Sequence, residues 1–536
     1  KHLNSIVVTT QEVYNEFSSG VQDVGAIRNY AKYLYETSTG EHKLKYLLLF
    51  GDGDFDYKRI STSGENFILP WETENSFGSL LDSYVTDDFY GAFSTPLDVD
   101  IAVGRLCVRT QSDAKNVVDK IIEYETHPIH DGWKNRTIYI SDDFKEDGIT
   151  HIQQADKLAQ IFTPTSFQKT KIYSAEFSTV ATSLGRRKPD ANEAIVSEWN
   201  KGALLINFTG HGNPRVWTHE QIFTRESSIP QLHNKGKYPF VIAATCNFGQ
   251  FDNIGTQSSA EILVNSSESG AIAVFAATRA VYSYSNEVLN DTLYDQLFRK
   301  NQNGKITWKR LGDAILNSKI ALRHYSFTNE NQHRFYLLGD PALEFAIPYE
   351  LASIDSINGI HLSNASPVLL RALSKPKIYS AVIDSNQSIT STYNGEGILT
   401  VFDSYKKVNI ADDGGSYTYN HTGDILFNGV VDIVHGISSM KFIIPKDITY
   451  DTTSNARISL YFWNNESDGS GVTELVNVGG TDTSASLDLD GPKINVYIDK
   501  NTFRNGDIVS SNPRLFVELS DSSGINTSGS SVGHKL

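Results

Sequence analysis

The chain has two textures. Through residue 346, short apolar runs alternate with segments of helical period. The runs predict strands at Tyr46–Phe50, Asp100–Val103, Thr137–Ser141, Ala203–Phe208, Phe240–Ala244 and Ala271–Ala276. Several are apolar throughout, as in parallel strands covered on both faces. Between them, Asp113–Glu125 places Val117, Ile121, Ile122 and Tyr124 near one side of a predicted helix. Thr150–Ile161 and Ser285–Phe298 predict two more. The pattern implies an α/β fold with a parallel-sheet core, in two stretches, 1–130 and 131–346, meeting near Thr126–Asn135.

After Pro348, Ser, Thr, Asn, Asp and Gly dominate, and apolar/polar alternation replaces the helical period, as in Leu399-Thr400-Val401-Phe402 and Ile458–Trp463. That predicts an all-β sandwich over 347–488. Gly491-Pro492 then opens a further Ig-like β segment, 489–536, with too few strands to close a domain, so the natural chain is expected to continue. The only methionine is Met440, which makes Lys1 an unsuitable translation start and predicts a processed or excised chain.

Composition narrows the function classes. A chain of 536 residues exceeds what one core holds and predicts several domains. The formal net charge of −16 repels polyanions, which excludes nucleic acid as a natural partner. No apolar run reaches the ~18 residues that a membrane-spanning helix needs. Two cysteines, Cys107 and Cys246, make neither a disulfide framework nor a thiolate zinc site. Cys107 lies within a strand-like run and reads as a small core residue.

Four predicted strands run into polar or glycine-containing turns: Gly51-Asp52-Gly53, Asp142-Asp143, Gly210-His211-Gly212 and Cys246-Asn247. Ligands of open parallel sheets bind outside the carboxyl ends of their strands. His211 and Cys246 both fall at such ends, after ALLINF and PFVIAAT. If the two strands are neighbours, a thiol and an imidazole share one rim, the pairing that activates a cysteine nucleophile. Gly212 would leave its N–H open to a carbonyl oxygen and, with the N–H of Cys246, form an oxyanion hole. The same residues also fit plainer roles, a buried thiol and a tight turn.

GHGNPRVWTHE, FVIAATCNFGQFD, GAIAVFAATRAVYS, DVDIAVGRLCVRT with its DKIIEYE helix, and FYLLGDPALEFAIP together resemble the gingipain family of cysteine peptidases over most of residues 45–346. The resemblance implies a caspase-like α/β fold, Cys246 as nucleophile and His211 as general acid/base. It also implies an acidic residue that orients the histidine, for which Asp142, Asp143, Glu146 and Asp147 in SDDFKEDG are the candidates. Within the family, TDDFYG, LLGDPAL and the β-rich sequel are most similar to the sortases of type IX secretion, the PorU type.

That similarity implies removal of a C-terminal signal domain from secreted proteins at the surface of a Gram-negative cell, on the outer membrane. The acyl group would pass to anionic lipopolysaccharide or to water. An outer-membrane β-barrel partner of the PorV type and other attachment-complex proteins are implied as well. A plain secreted endopeptidase and a non-catalytic surface scaffold remain the alternatives.

Trp217, Thr278, Arg279 and Tyr282 follow the central strands and are expected to wall the cleft. No cofactor is needed for the chemistry. The family resemblance allows structural calcium near Asp52, Asp54, Asp87 and Asp88. An EF-hand is excluded, because GDGDFDY lacks the loop's glycine and Ser63 stands where its glutamate belongs.

Overall fold

The computed structural model describes residues 3–60, 66–74, 81–95, 98–183, 185–253, 255–323, 329–362, 367–412, 414–450, 455–485, 491–511 and 513–520. They form two compact units. The first comprises Lys1–Ile347 with Asn409–Tyr419, and the second Pro348–Val408 with Asn420–Leu536.

The first unit is built on eight strands: β1 (Tyr46–Phe50), β2 (Ala102–Leu106), β3 (Arg136–Ser141), β4 (Gln168–Tyr173), β5 (Leu205–Thr209), β6 (Phe240–Ala244), β7 (Ala273–Ala277) and β8 (Phe335–Leu338). They lie in the order β1-β2-β8-β7-β6-β5-β3-β4. All neighbours are parallel except β7 and β8. The expected parallel core is therefore two parallel blocks meeting at one antiparallel seam. The sheet takes strands from both sides of residue 130, so the stretches 1–130 and 131–346 share one core.

β5, β6 and β7 are buried at every position; β6 and β7 are apolar throughout, and β5 also buries Asn207 and Thr209. Helices Gln111–Thr126, Thr150–Lys157, Pro189–Lys201, Ser259–Asn265, Ser283–Leu297 and Leu311–Leu322 belong to the same unit. Thr110 with Asp113, and Ser258 with Glu261, close capping boxes at two of their starts. Lys120 is buried, and its Nζ donates to the carbonyls of Leu263, Val264, Ser269 and Ala271 at 2.9–3.3 Å. It ties the Gln111–Thr126 helix to the end of Ser259–Asn265.

In the second unit a nine-stranded sheet has Ile425–Ile433 and Ile437–Lys441 at the two ends of its main strand order. Those two strands are consecutive in the chain, so the sheet folds back on itself. One core results, holding Ile354, Ile378, Leu399, Phe427, Ile458 and Val478. The predicted sandwich has this form. Lys493–Ile498 pairs antiparallel with Leu515–Ser520 in the expected Ig-like segment, whose residues 521–536 lie outside the described ones. No helix among the described residues is long and apolar enough to cross a membrane.

Candidate functional site

Three adjacent strands end on one rung. Ser141 of β3 pairs with Thr209 of β5, and Thr209 pairs with Ala244 of β6. Asp142, then Gly210-His211, then Thr245-Cys246 leave the sheet side by side, with strands ~4.8 Å apart. The rim thus gathers an acid, an imidazole and a thiol without any contribution from a distant loop.

Each turn is held for a reason. Asp142 is buried, and its carboxylate accepts the backbone N–H of His211 at 2.9 Å and that of Asp143 at 2.9 Å. A Cβ on Gly210 would lie 2.7 Å from Asp142 Cβ, so only glycine lets the carboxylate approach. A Cβ on Gly212 would lie 2.6 Å from Thr245 Oγ1, which packs the two loops together. The His211 carbonyl accepts the Thr218 N–H, and Asn213 N–H donates to Val216. Among the described residues no backbone acceptor takes the N–H of Gly212 or of Cys246. Asn247 follows the cysteine at φ 31°, a backbone that asparagine tolerates better than most residues. The half-buried Cys246 thiol donates to the Val281 carbonyl at 3.7 Å.

Of the four acids in SDDFKEDG, Asp147 meets the imidazole. Its Oδ2 is 2.7 Å from His211 Nε2, and both side chains are partly open to solvent. The other ring nitrogen, Nδ1, remains for the thiol or a leaving group. Asp143 is spent on Arg186 at 2.6 Å and Lys188 at 3.4 Å. Glu146 lies 3.6 Å from His219, whose ring stacks on His211 at 5.6 Å. Asp142 fixes the backbone beneath His211 instead of its ring. Burial pushes the Asp142 carboxyl up to about 7, against the two N–H groups that it accepts.

His151, absent from the sequence-based site, completes the cluster. Its Nε2 is 3.0 Å from the same Asp147 oxygen, and its ring sits edge-on to His211 at 5.4 Å. Burial and the neighbouring His211 hold His151 below the usual imidazole range, which keeps it neutral. Partial burial alone would raise the Asp147 carboxyl; His151 and His211 outweigh it and hold Asp147 below the usual carboxylate range. The one sequence signal was spacing, since Asp147 and His151 are four apart where a helix begins.

The model of Peptidase family C25 matches residues 2–346, more than half of the chain. The chain belongs to peptidase family C25. Among curated relatives, Gingipain R2 of Porphyromonas gingivalis is 24% identical over 347 residues, covering 62% of this chain and 42% of the relative. Gingipain R1 of the same species is also 24% identical, with 62% and 31% covered. The chain therefore spans less than half the length of these relatives. The solved structure of the Arg-specific cysteine proteinase gingipain R is 20% identical, covers 87% of this chain and 90% of its own, and superposes with a TM-score of 0.50, which shows the shared fold. Dimeric latent PorU from Porphyromonas gingivalis is 24% identical, with 99% and 45% covered and a TM-score of 0.39.

In this C25 chain three of the four expected cleft residues lie elsewhere. Trp217 is fully buried and stacks on Phe208 at 4.5 Å, in an aromatic core with Trp199, Phe223 and Phe248. The short hairpin of Val216–Trp217 with Phe223–Thr224 turns it inward. Thr278 is buried and donates to the Val85 carbonyl at 2.8 Å. Arg279 is buried in a two-pronged ion pair with Asp252, one prong at 2.9 Å, and its carbonyl accepts the Asn247 N–H beside Cys246. It supports the thiol loop from below. Only Tyr282 is exposed.

Two of the four expected calcium ligands, Asp87 and Asp88, are already taken up by protein cations. Asp87 grips Arg105 at 2.7 and 2.8 Å, and Asp88 holds Lys319 at 2.6 Å and His333 at 2.9 Å. Asp52 pairs with Arg109, and Asp54 accepts the backbone of Asp56. Asp87 and Asp88, paired with the buried Arg105 and Lys319, have little charge left for calcium, whereas the Arg109 beside Asp52 is partly exposed and Asp54 meets a backbone N–H. Cys107 is buried, and burial first, then Asp52 and Glu261, push its thiol well above the usual range, so it stays protonated and inert.

Proposed function

We propose that this C25 chain is a cysteine endopeptidase in which Cys246 is the nucleophile, His211 the acid/base and Asp147 the residue that orients the ring. The observation that carries this reading is the shared rung, where thiol, imidazole and two N–H groups without a backbone acceptor among the described residues follow neighbouring strands. With Nε2 facing Asp147, His211 takes the Cys246 proton through Nδ1. The thiolate forms a bond to the scissile carbonyl carbon, and the N–H groups of Gly212 and Cys246 receive the developing oxyanion. Collapse breaks the C–N bond, and the imidazolium gives its proton to the leaving amine. A thioester remains on Cys246.

The second half-reaction sets the biology. Water would release an acid, whereas a sugar amine on anionic lipopolysaccharide would form an amide and return the thiol. We favour the sortase reading, in which the substrate is a secreted protein bearing a β-rich C-terminal signal domain. The enzyme would then sit at the cell surface, peripheral to the outer membrane, with the β modules docking a β-barrel partner. Support comes from the TDDFYG and LLGDPAL segments and the all-β sequel.

The test supplies signal-bearing cargo to wild type and to Cys246→Ala and weighs the products. Shortened cargo with a glycan adduct supports transfer; bare shortened cargo supports hydrolysis. Cargo left intact by both proteins overturns the enzyme reading.

A further inference from the structure

The acid–histidine cluster at the rim has the composition of a metal site. Asp147 Oδ2 lies 2.7 Å from His211 Nε2 and 3.0 Å from His151 Nε2. The three donor atoms are all within 4.8 Å of one another. Two imidazoles and one carboxylate select first-row divalent ions such as zinc; calcium and magnesium prefer all-oxygen shells. Tetrahedral zinc, with bonds of ~2.1 Å, spaces its ligands ~3.3 Å apart. The His151 contact would have to open by about 0.3 Å and the His211 contact by about 0.6 Å.

The supports differ in a useful way. His151 is nearly closed off, at 6% side-chain exposure, and is held by the helix that begins at Thr150. The Asp147 and His211 side chains are 43% and 38% exposed, so an ion can enter past Asp147 and keep a water in its open position, while His211 Nε2 itself is closed to solvent and has no hydrogen-bond partner among the described residues. Nearby Glu146 adds negative charge, and the chain as a whole is acidic.

The geometry points to Asp147, His151 and His211 as a reversible binding site for zinc or a similar divalent transition metal, whose occupancy switches the thiol chemistry off. A cation on Nε2 lowers the basicity of Nδ1, so His211 can no longer take the Cys246 proton. It also takes Asp147 away from ring orientation. The inhibitory half rests on the peptidase reading above; the binding half does not.

The experiment titrates the metal-free full chain with Co2+, following the visible d–d bands. One equivalent should bind, be displaced by Zn2+, and be lost in His151→Phe and in the solvent-facing Asp147→Asn, with folding checked by circular dichroism. Cys246→Ala should still bind. In parallel, alkylation of Cys246 should slow about 100-fold at a free zinc concentration of 100 Kd. No visible band, or a band that survives both substitutions, overturns the site. Binding that leaves alkylation unchanged overturns the switch. If Cys246 in the metal-free protein reacts no faster than Cys107, the peptidase reading falls while the metal site stands.

Discussion

Replacing Asp147 by Asn tests the orienting role directly. The substitution keeps the shape and removes the charge 2.7 Å from His211 Nε2. Both side chains are more than a third exposed, so the dielectric is close to that of water. At that separation the attraction for an imidazolium is about 1.5 kcal/mol, which corresponds to roughly tenfold in rate. A second effect adds to it. An Asn amide can turn its N–H2 toward Nε2 and favour the tautomer with hydrogen on Nδ1, which cannot accept the thiol proton. The assay is alkylation of Cys246 by iodoacetamide from pH 5 to 9, with buried Cys107 as the internal reference. Asp147→Asn should label at least tenfold more slowly near pH 7, and His211→Ala should remove the selectivity for Cys246. Equal rates for wild type and Asp147→Asn across the whole range would refute the assignment.

Three further outcomes follow from the same geometry. The folded Asp142 carboxyl lies near 7 against a usual 3.8, so ionising it weakens the fold as pH rises through that window. Asp142→Asn keeps an acceptor for the His211 N–H, and its melting temperature relative to wild type should be higher at pH 8 than at pH 5. Lys120→Met removes the donor from four carbonyls, three of them buried and one of these, Leu263, still accepting the Ala271 N–H; it should cost about 3–5 kcal/mol, read as an earlier urea transition of the α/β unit. Gly212→Ala pushes a methyl into Thr245, the residue before the nucleophile, and should slow Cys246 labelling by tenfold or more.

The parts of this molecule that were legible in the sequence are those fixed by periodicity and chain order. β5 and β6 announce themselves as mostly apolar runs, and the polar turns that follow carry His211 and Cys246. β4 was missed because Gln168-Lys169-Thr170-Lys171 looks solvated, although Lys171 is buried against Asp156 at 2.6 Å. β8 was missed because FYLL is only four residues long and directly follows the helix Asn329–Arg334, so periodicity cannot separate it from a helix end.

Side-chain direction was legible nowhere. SDDFKEDG offers four acids within six residues, and the choice among them depends on which buried cations lie below. Arg186 and Lys188 consume Asp143, from a segment more than forty residues downstream. The Asp142 side chain is consumed by the backbone of the residue that it might have oriented. Asp147 is left because, of the four, it is the one whose carboxylate lies against Nε2 of the imidazole.

The same reasoning explains why Arg279 misled. A charged residue just past a central strand resembles a substrate contact, yet its partner Asp252 arrives on the loop after Cys246 and buries both charges. Pairing of that kind leaves the nucleophile's loop dependent on a salt bridge that never touches substrate. Arg279→Met should therefore lower stability by about 3–5 kcal/mol through the stranded Asp252 carboxylate, and also slow Cys246 labelling. Adding Asp252→Leu removes the stranded charge and should recover most of the stability. It should not recover the labelling rate if the Asn247–Arg279 backbone contact needs the ion pair to stay in place. Recovery of both together would mean that the pair contributes only stability.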